Sequence, residues 1–222
     1  MKTDIDIQQD VTAQLRWEPM LNAAEIGVAV KNGVVTLSGM VDTYSKKVAA
    51  ERAAKRVSGV KALAEDIQVG VTLTAHKTDA EIAAAVVSAL KWHTTVPDDL
   101  LKIKVENGIV TLEGEVPWNY QRDAAETAVE GLLGVVNVQN YIKLKPVVAV
   151  SNVESKIASA FQRSASLDAS RIKIEVNNNH ITLKGKVRSF AESEDALNAA
   201  WAVPGVISVA NKLEIDEEVF AF

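Results

Sequence analysis

The chain has 222 residues, 48% of them hydrophobic and 24% charged, with a formal net charge of −5. This composition fits an ordinary globular protein, and the net negative charge argues against general nucleic-acid binding. Cysteine is absent, which excludes disulfide frameworks, thiolate catalysis and zinc–cysteine sites.

The first ten residues, Met1 to Asp10, contain no apolar core and no cleavage-like segment, and no apolar stretch approaches the length of a bilayer span. The expectation is a cytoplasmic protein as written, or a periplasmic one if a leader has been removed, with no transmembrane segment.

Gly33-Val-Val-Thr-Leu-Ser-Gly39 recurs as Gly108-Ile-Val-Thr-Leu-Glu-Gly114 and as Asn179-His-Ile-Thr-Leu-Lys-Gly185, at shifts of 75 and 71 residues. At those shifts three 67-residue windows align without a gap: Thr3–Val69, Thr78–Leu144 and Ala149–Ile215. A unit of this size lies near the lower limit for independent folding, and the period is too long for the usual solenoid repeats. The windows carry net charges of −1, −5 and +1.

In the first window, Ile7, Val11 and Leu15 form one apolar helical stripe, and Pro19 falls after the helix has ended. Ile26, Val28 and Val30 then alternate with Gly27, Ala29 and Lys31, which reads as a strand. Asn32-Gly33 makes a hairpin turn, since both residues tolerate positive φ. Val35, Leu37 and Val41 resume the inward face. Gly39 falls on the inward parity, where either a helix crosses closely or the strand bends. Ala50, Ala53, Ala54 and Val57 are the buried stripe of a second helix, Gly59 ends it, and Val60–Val69 is a last strand. Gly70–Lys77 is a linker.

The second window repeats this order. Ile82, Val86 and Leu90 precede Pro97, then Leu101, Ile103 and Val105 lead to Asn107-Gly108. Val110, Leu112 and Val116 follow, then a helix with Ala125, Ala128, Val129 and Leu132, then Gly134 and the strand Val135–Leu144. After the linker Lys145–Val148 the third window gives Val153, Ile157 and Phe161, then Ile172, Ile174 and Val176, the turn Asn178-Asn179, and Ile181, Leu183 and Val187. Ser189 and Glu192 fit a capping box for the helix carrying Ala196, Ala199, Ala200 and Val203. Gly205 and the strand Val206–Ile215 complete the window, and Asp216–Phe222 is a tail. The fold class is α+β: three tandem αββαβ two-layer domains, each a three-stranded mixed sheet with two helices on one face.

A helix with an aspartate near its start, then I-x-V-x-V-x-N-G-x-V-T-L-x-G-x-V, then an alanine-rich helix ending in G-V-x-x-V-x-N-x-I-x-V, resembles the BON domain. That family takes its name from bacterial osmotically inducible periplasmic proteins and nodulation proteins. The second window follows the pattern best, with Asn107-Gly108, Gly134-Val135 and Asn140. The first has Glu65 at the late asparagine, and the third has Asn179 at the turn glycine. The resemblance implies a non-enzymatic module acting at phospholipid surfaces or on envelope proteins, often in osmotic or other stress.

Catalytic chemistry finds little support. His76, His93 and His180 occupy unrelated repeat positions, and no G-x-S-x-G elbow exists. Asp98-Asp99 and Asp216-Glu217-Glu218 lack calcium-loop spacing. Gly131-Leu-Leu-Gly134 matches the GxxG of a KH loop but carries leucines where basic residues are usual, so it reads as a helix terminus. No enzyme activity, cofactor or metal is expected.

Three surface features remain. An aromatic side chain marks the entry to the second helix of each unit: Tyr44, Trp118 with Tyr120, and Phe190. It is either a staple or a tip for a lipid interface or partner. The second helix of the first unit is basic, with Lys46, Lys47, Arg52, Lys55 and Arg56, and suits anionic headgroups. On the outward sheet faces Lys102 lies opposite Glu113, whereas Lys173 lies opposite Lys184, with Lys186 and Arg188 beyond. Glu113 and Glu115 occupy the positions of Lys184 and Lys186, so an acidic and a basic face are expected to meet, within one chain or between chains of a homo-oligomer. The leading expectation is a stress-associated protein that engages anionic phospholipid or membrane-associated proteins. The alternative is a holdase-like scaffold that self-associates through its sheet faces.

Overall fold

The structure, a computed structural model, describes residues 2–70, 77–145, 152–164 and 167–216. The first repeat contains α1 (Asp4–Trp17), β1 (Ile26–Lys31), β2 (Val34–Val41), α2 (Tyr44–Lys55) and β3 (Ala62–Val69). The second contains α3 (Asp79–Trp92), β4 (Leu101–Glu106), β5 (Ile109–Val116), α4 (Asn119–Glu130) and β6 (Asn137–Leu144). The third contains α5 (Val153–Arg163), β7 (Ile172–Asn177), β8 (His180–Val187), α6 (Phe190–Trp201) and β9 (Ser208–Ile215). A short 3-10 turn leads into each hairpin, at 23–25, 98–100 and 169–171.

The strands form three sheets ordered β1-β2-β3, β4-β5-β6 and β7-β8-β9. Each hairpin is antiparallel, and β6 and β9 run parallel to β5 and β8, so these sheets are mixed. The α+β class expected from the repeat is the observed one. Its reason is visible in burial: Ile7, Val11, Leu15 and their counterparts Ile82, Val86, Leu90 and Val153, Ile157, Phe161 are all buried. They pack with the inward strand residues, such as Val110 and Leu112 or Ile181 and Leu183.

Local contacts fix where the helices start. Thr3 and Thr78 each accept from the third helical amide, and the carboxylates of Asp6 and Glu81 reach back to the threonine amides. The neighbouring Asp79 carboxylate accepts from the amides of Asn107 and Gly108, both at 2.9 Å, and so ties helix to hairpin turn. Asp4 does the same for Asn32 and Gly33. Both residues of each Asn-Gly turn have positive φ, whereas in the third repeat Asn178 alone does. There Asn179 uses its side-chain amide to donate to the Gly205 carbonyl instead.

Gly39, Gly114 and Gly185 have φ of 134°, 141° and 126°, so the strand bends at each. An added Cβ would lie about 2.1–2.3 Å from the carbonyl oxygens of Glu25, Leu100 and Arg171. The close neighbour is thus the backbone entering the hairpin, not a crossing helix. Gly59, Gly134 and Gly205 each lie four residues beyond the last residue of their helix, in the turn that leads to the last strand.

The described residues fall into two compact units. One comprises residues of 1–39, 49–67 and 148–222; the other comprises 40–48 with residues of 68–147. In the second unit Tyr44 and Val48 join one apolar cluster with Ile82, Val110, Leu112 and Val129.

Candidate binding surfaces

Because Asp79 anchors the start of α3 at the hairpin turn, its last residue, Trp92, reaches the opposite end of the repeat. That is the end where β5 runs out and α4 begins. Trp92 is 84% exposed there, and Leu100, Trp118 and Tyr120 are also exposed. The Trp118 and Tyr120 rings stack with centroids 6.4 Å apart. The Trp118 amide donates to Gln121 Oε1, and the buried Asn119, between the two in sequence, donates to Asp123. An exposed tip therefore exists in the second repeat.

Its expected counterparts differ. Tyr44 is buried, 9% exposed, inside the cluster containing Ile82 and Val110, so the tip reading is corrected for this residue. Its ring meets apolar neighbours contributed from far along the chain, which spacing along one helix does not reveal. Phe190 is half-buried.

Charges on α2 are largely committed. Lys46 pairs with Asp42 at 2.8 Å, and Lys55 pairs with Glu51 at 2.6 Å. Lys55 also lies 3.6 Å from Glu194 on α6, joining the basic helix of the first repeat to the acidic helix of the third. Burial opposes the Lys55 charge, but Glu51 and Glu194 outweigh it and hold its pKa above the ordinary lysine value. Lys47 and Arg52 also have partners. Arg56 stands exposed just beyond the helix.

On the open sheet face of the second repeat, Lys102 lies opposite Glu113, and Tyr141 lies opposite Glu113 on the other side. Lys104 pairs with Glu106 and Lys145 with Glu115, while Lys143 lies beside Glu115. This face is balanced rather than acidic, because β4 and β6 carry lysines opposite the glutamates of β5. The third repeat differs: Lys173, Lys184 and Lys212 form one row across all three strands, with Lys186 beside Glu214. Glu175 bridges Lys173 and Lys184 at 3.3 and 2.6 Å, and those two lysines lower its pKa.

The end of the third repeat is ionic where that of the second is aromatic. Glu192 is buried and accepts from the amides of Asp168 and Arg188 and from the Arg188 guanidinium. Ser189 does accept from the Glu192 amide, but the carboxylate goes to Arg188 and Asp168, so the reciprocal half of the expected capping box is replaced. Burial would raise the Glu192 pKa; the Arg188 side chain and the two amides outweigh it and leave it lowered. Asp216 is buried against Arg171 and lies near Lys186.

Trp17 and Trp92 belong to no motif of the sequence. They occupy the same repeat position, 75 residues apart, as the last residue of the first helix. They are 85% and 84% exposed. The available signal was an aromatic repeated two residues beyond the apolar stripe, on the side that Leu15 and Leu90 leave to solvent.

His93 bonds to Thr95 and His180 to Ser208 on the neighbouring strand, and His76, Glu217 and Glu218 lie outside the described residues. Among the described residues no cluster of three His, Asp or Glu side chains could hold a metal ion, and no helix is long and apolar enough to cross a membrane.

The family model of the BON domain matches residues 3–71, 78–146 and 149–217. The chain belongs to the BON domain family. The osmotically-inducible protein Y of Escherichia coli (strain K12) is 28% identical over 146 residues, covering 64% of this chain and 73% of that protein. The 21 kDa hemolysin of Actinobacillus pleuropneumoniae is 32% identical over 135 residues, 59% of this chain and 67% of that protein. CdsD, a structural protein of the type III secretion system of Chlamydia trachomatis, aligns with 96% of this chain at 15% identity and a TM-score of 0.26, covering 94% of its own length. Within the second BON domain, Asn140 donates to the Arg122 carbonyl and to Glu126, pinning β6 to α4. Asn211 of the third BON domain does this through Ser193.

Proposed function

We propose that this BON protein is a non-enzymatic, stress-associated protein of the bacterial envelope that engages membrane surfaces. The aromatic end of its second domain would enter the lipid interface. The observation that carries this reading is Trp92, 84% exposed at the same end as exposed Leu100 and the stacked Trp118–Tyr120 pair. Indole and phenol rings favour the headgroup level, where one side is apolar and the other wet. The lysine row of the third domain supports the anionic part of the reading, since each basic side chain near a charged bilayer adds about 1 kcal/mol. The similarity to a protein named for osmotic induction supports the stress association.

Co-sedimentation with phosphatidylcholine vesicles, with and without phosphatidylglycerol, tests this. The expected result is pelleting on the anionic vesicles at low salt, weakened at least about tenfold by Trp92→Ala with Trp118→Ala and weakened by Lys184→Glu. A protein that stays in the supernatant with both vesicle types at low salt would overturn the reading.

A further inference from the structure

Asp10, Gln14 and Trp17 lie along one face of α1, at i, i+4 and i+7. Together with Lys2, Arg56 and Ser58 they line an open groove of about 370 Å³. The Trp17 ring is 85% exposed. Lys2 is committed to Asp10 at 2.6 Å. Arg56 makes no ion pair among the described residues, and the Gln14 amide makes no side-chain hydrogen bond among them. Ser58 Oγ is buried without a hydrogen-bond partner.

The second repeat supplies a contrast within the same chain. At the 75-residue shift Trp92 is retained, but Ala85, Ala89, Gly131 and Leu133 stand where the first repeat has Asp10, Gln14, Arg56 and Ser58. Four hydrogen-bonding positions of the Trp17 groove are thus apolar or bare in the second repeat, where Lys77 and Ser88 stand at the positions of Lys2 and Ala13. A lipid chain over Trp17 would strip water from Arg56 and Gln14 and return no partner. A ligand with a flat apolar face and a polar rim satisfies both the indole and its neighbours. The Arg56 guanidinium adds a preference for a carboxylate, which matches its fork of donors.

We propose that the groove beside Trp17 binds a sugar bearing a carboxylate, a uronic-acid pyranose. Its ring lies on the indole, its carboxylate meets Arg56, and its hydroxyls meet Gln14 and Asp10. This site is separate from the aromatic end of the second domain and does not depend on membrane binding.

Calorimetric titration of the full chain with tri-galacturonate, maltotriose and inorganic phosphate tests it. Tri-galacturonate binds more tightly than maltotriose, and phosphate does not displace it. Trp17→Ala weakens tri-galacturonate at least about tenfold, Arg56→Gln reduces its affinity to that of maltotriose, and Trp92→Ala changes neither. Trp17 is exposed, so the variant keeps its fold, and far-UV circular dichroism checks this. The proposal is overturned by absence of binding at about 10 mM tri-galacturonate. Unchanged binding in a folded Trp17→Ala protein, or displacement of the sugar by phosphate, would overturn it equally.

Discussion

Asp79 joins helix to hairpin with a single side chain. As the first residue of α3 it adds negative charge where the helix dipole is positive, and its carboxylate also accepts from two turn amides. The turn needs this support, because Asn107 and Gly108 both hold positive φ and both of their amides donate to this one carboxylate. Charge-assisted bonds of this type contribute roughly 1.5–3 kcal/mol each in favourable settings, less where partly exposed as here. Asp79→Ala is therefore expected to destabilise the second repeat by about 1–3 kcal/mol in urea unfolding. A midpoint unchanged within error would mean that water replaces the carboxylate without loss. The Asn-Gly turns were legible in the sequence because the conformation they require is local. The aspartate that caps each turn sits 28 residues earlier, and nothing in its own neighbourhood announces the partner. Trp17 and Trp92 are not legible for a related reason: periodicity identifies what faces the core and leaves the exposed side chains unranked.

Glu192 shows how one element departs from its repeats. The corresponding residue in the second repeat is the neutral Gln121, which closes on the Trp118 amide. In α6 a buried carboxylate takes that place, held by Arg188 and two backbone amides. Its folded-state pKa lies below the ordinary carboxylate value, so folding favours the ionised form. The stability this supplies is fully present above the ordinary glutamate range and is lost as pH falls through the lower folded value. Glu192→Gln is expected to lower stability at neutral pH and to flatten its decline in acid, read by unfolding midpoints between pH 3 and pH 7 at about one-unit steps. An acid branch identical to that of the parent protein would assign the decline to other carboxylates. The element scale also explains what pairing arithmetic could reach. Lys173 opposite Lys184 follows from a two-residue turn, but Lys212 joins that row only through the register of a parallel strand delivered by α6. The charge balance of the second repeat's face is out of reach of that arithmetic too, since it needs Lys143 from β6 beside Glu115.

At the scale of the whole molecule, three sequence repeats make two compact units, and the boundary does not follow the repeat boundary. Residues 40–48 belong by sequence to the first repeat, yet they pack with the second, where Tyr44 and Val48 share a cluster with Ile82, Val110, Leu112 and Val129. A repeat of this size buries too small a fraction of its surface to be very stable alone, so a borrowed tyrosine matters. Tyr44→Ala removes a large buried ring and is expected to cost about 2–4 kcal/mol. The loss should appear in the second unit, as faster hydrogen exchange at Val110 and Leu112 in β5, because the cavity opens in their cluster. Protection at Ile181 and Leu183 in β8 should stay at its parent level, since those residues belong to a separate core. Equal loss of protection in β5 and β8 would mean that the two units unfold as one cooperative body, and unchanged protection in β5 would remove Tyr44 from the second unit's core.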